Sequence, residues 1–271
     1  MTKLLNIPFG LVGICLRSHY FCFDIVCMAK PSEILKQYWG FDLFRPMQEE
    51  IILSVLAGND TLALLPTGGG KSICFQIPAL CKKGVCLVVS PLIALMQDQV
   101  SALKARGINA VSLDSSLSFT QVDRALDNCV HGDVKFLYLS PERLRSELVR
   151  TRLSMMNVNL IAVDEAHCIS EWGYDFRPPY LQVQEVREIL NGVPVIALTA
   201  TATPTVVADI EEKLGFKRAN VLQKSFERKN VAYMVLQEQD TIGRVKKILG
   251  RIQGTSIIYV RNRKMTKQVA H

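Results

Sequence analysis

The chain has 271 residues, of which 49% are hydrophobic and 21% are charged, a composition that excludes a disordered segment and indicates a protein with a folded core. This length allows one large domain or two smaller ones. The formal net charge of +7 and the pI of about 9.0 favour an anionic partner such as nucleic acid, although many basic proteins bind none.

The first 27 residues differ from the rest of the chain. Their apolar segment, residues 4–16, is too short to span a bilayer as a helix, and no small-residue cleavage site follows it. At Met28 the sequence resembles a fresh protein start that leads into a helix. We therefore expect residues 1–27 to be a non-native or flexible extension, with the first domain beginning at residue 28.

Short, nearly continuous apolar segments alternate with amphipathic stretches from residue 50 onward. Such segments are typical of parallel strands that are covered on both faces. The predicted strands are residues 61–65, 85–90, 136–140, 160–164 and 195–199. Between the second and third of them, residues 91–107 have a helical pattern that ends at a glycine. The alternation predicts an α/β fold with a doubly wound parallel sheet, whose ligands bind at the carboxyl ends of the strands.

The composition changes after this first unit. Residues 216–230 are charged and weakly periodic, which favours a linker, and residues 255–260 form another strand candidate. We expect residues 28–225 to form the first domain and residues 226–271 to hold a linker and an incomplete second α/β domain.

The cysteines do not indicate a metal site. They form no C-x-x-C pair, and the histidines are not spaced to complete a zinc site. Several lie in apolar runs, where free cysteine behaves as a small buried hydrophobe. The sequence predicts reduced thiols and no zinc at Cys15, Cys22, Cys27, Cys74, Cys81, Cys86, Cys129 and Cys168.

A glycine-rich loop follows the first predicted strand and precedes a helix. Glycine lets backbone N–H groups approach a phosphate chain closely, and a helix N-terminus adds partial positive charge. In such a loop a lysine pairs the β- and γ-phosphates and a serine holds Mg²⁺. The alternative is an ordinary glycine turn with a surface lysine, and Leu65 departs from the strict phosphate-loop pattern, which has glycine there. The candidate nucleotide ligands are Thr67, Gly68, Gly69, Gly70, Lys71 and Ser72.

Two adjacent acids follow the apolar segment 160–163. Asp164 is the candidate to orient Mg²⁺ through water, and Glu165 is the candidate general base that activates the attacking water. The alternative is a structural role, because adjacent acids at the end of a strand are in other proteins exposed to solvent, or they cap the next helix. The phosphate loop favours the catalytic interpretation.

Several long stretches occur in one order that resembles a known family. They are "FDLFRPMQEEII" at 41–52, "PTGGGKS" at 66–72, "VVSPLIALMQDQV" at 88–100, "AVDEAHCISEWGYDFRP" at 162–178 and "ALTATAT" at 197–203. Together they resemble the motor of superfamily 2 helicases, and more specifically the RecQ family of DNA helicases. The resemblance implies a RecA-like domain of the P-loop type, followed by the start of a second RecA-like domain, with ATP and Mg²⁺ as cofactors.

The resemblance also implies where the base of ATP lies. It places the adenine between Phe41 and the guanidinium of Arg45, with Gln48 bonded to the base edge. An aromatic ring and an arginine plane are able to sandwich a purine. The residues alone indicate only the start of a helix, with Pro46 in its first turn and Phe44 in the core.

Residues 168–180 resemble the aromatic loop that senses single-stranded DNA in RecQ helicases. This implies that Trp172 and Phe176 stack on bases and that Arg177 contacts phosphate, although loop aromatics are often buried core residues. His167, which is elsewhere more often structural, would link the nucleotide to residues 199–203. The remaining candidate contacts with the DNA backbone are Ser90, Ser140 and Arg143.

The resemblance implies an ATP-dependent 3′–5′ DNA helicase, a DNA-stimulated ATP hydrolase that acts on single-stranded and partly duplex DNA in recombination and repair. It implies a bacterial-type cytoplasmic protein that associates with the nucleoid when bound to DNA and has no membrane association. Missing C-terminal regions are where the resemblance allows contacts with single-strand-binding protein. Because the later motifs of the family are missing, we expect an incomplete motor that binds ATP weakly and unwinds nothing. An RNA helicase of the same superfamily and a non-catalytic fragment that binds ATP and DNA remain alternatives.

Overall fold

The computed structural model describes residues 30–114, 116–173, 175–216, 220–224 and 231–270. The expected extension, residues 1–27, lies outside the described residues. The chain divides into two compact units, residues 1–226 and 227–271. Within the described ranges, no helix combines the length and the apolar character that crossing a membrane requires.

The first unit alternates strands and helices along the chain. Its helices are α1 (Pro31–Trp39), α2 (Gln48–Leu56), α3 (Lys71–Cys81), α4 (Ile93–Lys104), α5 (Phe119–His131), α6 (Glu147–Met155), α7 (Gln182–Ile189) and α8 (Pro204–Lys213). Its strands are β1 (Thr61–Leu64), β2 (Val85–Val89), β3 (Ala110–Leu113), β4 (Phe136–Leu139), β5 (Val158–Val163), β6 (Val195–Thr199) and β7 (Val221–Gln223).

The strands form one parallel sheet in the order β3-β4-β2-β5-β6-β1-β7. Helices cover both faces: residues of α2, α3 and α4 belong to one apolar cluster, and residues of α5, α6, α7 and α8 belong to the other. The expected fold class is therefore confirmed. All five strands predicted in this unit exist, each within about two residues of its expected ends.

The expectation of a linker at 216–230 is wrong in part. Residues 221–223 form β7, which pairs with β1 at the edge of the sheet. A three-residue edge strand buries few side chains, so its apolar pattern is too weak to stand out among charged neighbours. Of the rest of the segment, residues 217–219 and 225–230 lie outside the described residues. Strand β3 was not predicted either, since only its first and last residues are buried.

In residues 231–270, the described part of the second unit, there are two helices, α9 (Thr241–Leu249) and α10 (Arg263–Ala270). The strand predicted at residues 255–260 is wrong for the described chain, where this segment has no assigned secondary structure. A strand is defined by a ladder of hydrogen bonds to a neighbour, and no ladder forms among residues 231–270.

The strand order brings distant parts of the sequence to one edge of the sheet. Strand β6 lies between β5 and β1, so the loops that follow these three strands leave the same edge side by side. In open parallel sheets this carboxyl edge is where ligands bind. The glycine loop after β1 and the acids after β5 are therefore separated only by the end of β6.

Candidate active site

The glycine loop connects β1 to α3 in a conformation that needs glycine. Gly68 and Gly70 have positive φ angles of 78° and 77°, which residues with a Cβ rarely adopt. At Gly69, an added Cβ would lie 2.8 Å from the carbonyl oxygen of Pro66. The helix that follows begins at Lys71, and the N–H groups of a first helical turn have no partner within the helix. The loop therefore has the glycines and the helix start of an anion cradle, although in this structure the N–H of Gly69 donates to the carbonyl oxygen of Pro66 at 2.8 Å.

Lys71, which follows the glycine loop, lies close to Glu165, which follows β5, at the carboxyl end of β6. Its Nζ lies 3.6 Å from Oε1 of Glu165, and both side chains are mostly buried. The structure thus brings together two residues that are far apart in sequence and that were expected to act on the same phosphate.

Asp164 and Glu165 directly follow β5. Burial of Asp164, together with the negative charge of Glu165, raises the pKa of the Asp164 carboxyl to about 6, although Lys71 acts in the opposite direction. Glu165 has a φ of 47°, an uncommon conformation for a residue with a long side chain, and its N–H donates to Oδ1 of Asp164 at 3.0 Å. A cation beside Asp164 would favour its ionised form, so the residue fits a magnesium site.

His167 joins this group to the end of β6. Its Nδ1 lies 2.9 Å from Oγ1 of Thr199 and 3.4 Å from Oε2 of Glu165. Oγ1 of Thr199 also accepts a hydrogen bond from the backbone N–H of Thr201 at 3.2 Å. The structure therefore links the acids to residues 199–203 through one imidazole.

Ser72, the second residue of α3, has a partner that sequence reasoning missed. Nε2 of Gln99 on α4 donates to Oγ of Ser72 at 3.0 Å. Gln99 lies within one of the motifs that carried the RecQ resemblance, yet neither its spacing nor its residue type marks it as a site residue. Only the packing of α4 beside α3 places it there.

The residues expected around adenine approach the glycine loop from the segment before α2 and from the first residue of that helix. Nε2 of the buried Gln48 lies 3.3 and 3.1 Å from the carbonyl oxygens of Gly69 and Gly70, and its Oε1 accepts the N–H of Arg45 at 2.9 Å. The Arg45 guanidinium donates to the carbonyl oxygen of Gly68. The ring of Phe41 is 51% exposed and therefore accessible for stacking.

The aromatic loop combines one exposed ring with two restrained side chains. Trp172 is 74% exposed, whereas Nζ of Lys213 lies 5.6 Å from the centre of the Phe176 ring. The Arg177 guanidinium donates to Asp175 and, at 3.2 Å, to the carbonyl oxygen of Pro91. A cavity of about 410 Å³ lies between the loop and the end of β6, and its lining includes His167, Trp172, Gly173 and residues 200–203.

Two further candidates for DNA contact are less accessible than expected. Ser90 is 2% exposed, and its Oγ is buried without a hydrogen-bond partner among the described residues. A buried hydroxyl does not favour the expected contact with a DNA backbone. Arg143 is partly buried, and one of its guanidinium nitrogens donates to the carbonyl oxygen of Asp114.

The chain is similar to proteins named as helicases. The family described as "DEAD/DEAH box helicase" matches residues 45–210. The chain is 44% identical to the "Probable ATP-dependent DNA helicase RecS" of Bacillus subtilis (strain 168), over 90% of this chain and 49% of that protein. It is 39% identical to the "ATP-dependent DNA helicase RecQ" of Pasteurella multocida (strain Pm70), over 88% of this chain and 38% of that protein.

A solved structure shows the same fold at low sequence identity. The crystal structure of the DUF1998 helicase MrfA matches with a TM-score of 0.67 at 16% identity, over 90% of this chain and 40% of that one. The chain spans no more than half the length of either curated relative. Because the family match covers more than half of this chain, and because the relatives bear out the RecQ resemblance of its motifs, the chain belongs to the DEAD/DEAH box helicases.

Proposed function

We propose that this chain carries the ATP-binding motor domain of an ATP-dependent DNA helicase of RecQ type. Residues 28–225 form its RecA-like ATP-binding domain, and residues 226–271 contain a linker and the start of a second one. The observation that carries the proposal is the convergence of Lys71, which follows the loop after β1, with Glu165 and His167, which both follow β5, at the carboxyl edge of the sheet.

The roles of the residues follow from their positions. The N–H groups of Gly68 and Gly70 bind the phosphates together with Lys71, and the N–H of Gly69 does so once it exchanges the carbonyl oxygen of Pro66 for a phosphate oxygen. Ser72 and Asp164 hold Mg²⁺. When bound, this ion neutralises charge that develops on the phosphoryl oxygens. Glu165 takes the proton of the attacking water, and its Oε1 lies 3.6 Å from Nζ of Lys71, which binds the phosphate that the water attacks.

Recognition of the base depends on groups already bonded to the loop. Phe41 stacks on the adenine, and the amide of Gln48 contacts its edge. In this structure Gln48 and Arg45 bond to the loop carbonyls, so nucleotide binding requires them to exchange those partners. Base recognition and phosphate-loop geometry are therefore coupled.

DNA contact reaches the nucleotide through the aromatic loop. The exposed Trp172 stacks on a base, and Phe176, Arg177 and Arg143 complete the strand contact. His167 lines the same cavity as Trp172 and contacts both Thr199 and Glu165, so it connects DNA contact to hydrolysis. Movement in the 3′–5′ direction, a cytoplasmic location and contacts with single-strand-binding protein belong to this proposal as properties of the RecQ type.

The experiment compares ATP hydrolysis and ATP binding by the chain and by its Lys71→Ala variant. Hydrolysis is measured alone, with single-stranded DNA and with single-stranded RNA of the same sequence. We expect Lys71→Ala to abolish nucleotide binding and DNA to stimulate turnover more than RNA does. Stimulation by RNA alone would favour an RNA helicase, and failure to bind ATP would contradict the proposal.

A second candidate function is nucleotide and DNA binding without turnover. The chain spans 49% of the RecS relative and 38% of the RecQ relative. In phosphoryl transfer an arginine supplied by another domain contributes about 10³–10⁵ in rate. ATP and DNA binding without hydrolysis, with turnover restored when a second domain of a relative is fused to the chain, would identify this function.

A further inference from the structure

Two glutamines form a continuous hydrogen-bonded chain behind Ser72. Gln76 on α3 is 4% exposed, and its Nε2 lies 3.3 Å from Oη of Tyr138 on β4 and 3.0 Å from Oε1 of Gln99 on α4. Gln99 in turn donates from Nε2 to Oγ of Ser72 at 3.0 Å. This series of hydrogen bonds therefore begins at Tyr138 in the sheet, passes through one glutamine on each helix and ends at the Ser72 hydroxyl, which we assign as a magnesium ligand.

The order of donors and acceptors fixes the orientation of the last link. Because Gln76 donates to Oε1 of Gln99, the NH₂ group of Gln99 must face Ser72. A serine hydroxyl has two lone pairs and one proton. One lone pair of Ser72 accepts from Gln99, which leaves the other lone pair for a cation and sets the direction in which it points.

Burying the polar amide of Gln76 costs free energy, but its hydrogen bonds hold Gln99 in one orientation. The neighbours of Gln76 along α3 that are buried, Cys74, Phe75 and Ile77, are apolar, so an apolar side chain would suit this position better. A buried amide costs free energy unless it is hydrogen-bonded, but a satisfied network holds its members in one arrangement. A groove of about 320 Å³ that Ser72, Gln76 and Gln99 help to line gives water access to the hydroxyl if Gln99 is lost.

We propose that Gln99, held by Gln76, is a positioning residue that orients the Ser72 hydroxyl toward the magnesium ion of bound Mg–ATP. The inference rests on the proposed function, in which Ser72 is a magnesium ligand. Groups behind a metal ligand commonly change metal affinity by about 10–100-fold when they are removed. Gln99 therefore acts on magnesium-dependent binding and not on the nucleotide itself.

The experiment measures the affinity of the full chain for a fluorescent methylanthraniloyl analogue of ATP, once in EDTA and once with saturating Mg²⁺. Gln99→Met keeps an unbranched side chain of similar length but removes the amide. We expect it to weaken binding about 10-fold or more in Mg²⁺ and to leave binding in EDTA unchanged. Gln97→Met is the matched control, because Gln97 lies on the same helix and donates elsewhere, to Asp114 at 3.0 Å.

Two further variants, and the outcomes that would contradict the proposal, complete the experiment. Equal weakening in EDTA and in Mg²⁺, or no weakening at all, would overturn the proposal. In a Ser72→Ala background, Gln99→Met is expected to have no added effect, since the group that it positions is gone. If Gln99→Met does not fold, Gln76→Met, which leaves the Gln99 amide without its anchor, is expected to show the same Mg²⁺-specific loss, and an unchanged affinity in Mg²⁺ would overturn the proposal. A wild-type chain that binds no nucleotide would instead contradict the proposed function.

Discussion

Asp164 is a carboxyl group in an environment that favours its neutral form. Burial at the end of β5 and the adjacent charge of Glu165 raise its pKa to about 6, above the ordinary value of 3.8. Between these two pH values the folded chain binds more protons than the unfolded chain. Stability therefore falls as the pH rises through this window, and above it the loss caused by the buried charge is complete and no longer changes with pH.

This predicts a pH-dependent effect of Asp164→Asn. At pH 7 the variant should be more stable than the wild type by about 1–3 kcal/mol, because it removes a buried charge, and the difference should vanish near pH 4. Urea unfolding without magnesium, at both pH values, measures it. Asp98→Asn, an exposed position on α4, is the control. A difference that is independent of pH would show that the ionisation of Asp164 is not its cause.

The ring of Trp172 is exposed at the surface, so it contributes little to the packing of the core. Trp172→Ala should change the free energy of unfolding little, whereas binding of single-stranded DNA should weaken by about 1–3 kcal/mol, the usual contribution of base stacking. Fluorescence anisotropy with a labelled oligonucleotide gives the affinity. Phe119→Ala is the matched control, since Phe119 is also 74% exposed but begins α5. Equal losses in both variants would argue against a specific contact.

At this scale the sequence predicted the ligands that form motifs and missed those that depend on packing. The glycine loop and the two acids were identifiable because their residue types and order match one chemistry. Gln99 was not, because its contact with Ser72 exists only when α3 and α4 lie side by side. The burial of Ser90 was equally hidden, since a serine at a strand end gives no sign of its exposure.

At the scale of elements, one ion pair connects several of them. Asp60 precedes β1 and accepts the guanidinium of Arg187 on α7, while its other oxygen accepts the N–H of Val195, the first residue of β6, at 3.0 Å. Arg187 also donates to the carbonyl oxygen of Leu214 at 2.6 Å. Both side chains are mostly buried. The pair therefore aligns the starts of two central strands with a helix on one face.

Removal of one member should cost more than removal of both. Arg187→Met should lower the free energy of unfolding by about 2–4 kcal/mol, because it leaves the Asp60 carboxylate buried without its partner. Adding Asp60→Asn should recover part of the loss, since the amide oxygen still accepts the N–H of Val195. Arg152→Met, which breaks more exposed pairs with Asp123 and Asp127, should cost the least of the three. Urea titrations that rank the three variants differently would contradict this account.

Prediction of elements succeeded where burial is complete and failed at the edges of the sheet. Every residue of β1, β2, β4 and β6 is buried, so each gave a continuous apolar segment. Strands β3 and β7 are the two outermost strands and are only partly buried. Strands β3 and β7 form because each pairs with a neighbouring strand, β4 and β1 respectively, and the local sequence pattern does not show which segments will pair.

At the scale of the whole molecule, burial controls the chemistry of the thiols. The five described cysteines are free and buried, as expected for cysteines that act as small hydrophobes in apolar segments. Burial raises the pKa of Cys74, Cys129 and Cys168 to about 12 and that of Cys81 to about 11, and it raises the pKa of Cys86 further. The reactive thiolate is therefore scarce at neutral pH.

Alkylation should consequently report global unfolding. In the native chain at pH 8, peptides that contain these five cysteines should resist iodoacetamide, and they should become labelled together as urea unfolds the first unit. Peptide-resolved mass spectrometry follows each site. Rapid labelling of one of the five cysteines in native conditions would reveal local opening around it, and its buried environment would then not describe the molecule in solution.

The position of β1 in the sheet also determines when the glycine loop can take shape. Strand β1 pairs with β6 and β7 alone, and Val195 at the start of β6 stands 135 positions after Asp60. Strands β2, β3, β4 and β5 pair among themselves and are complete in the chain before either partner of β1 has been synthesised. While the chain is still bound to the ribosome, every residue of the glycine loop would thus be present long before β1, the strand that precedes the loop, could pair into the sheet. Nucleotide binding should appear late in synthesis, as the last step of folding of the first unit.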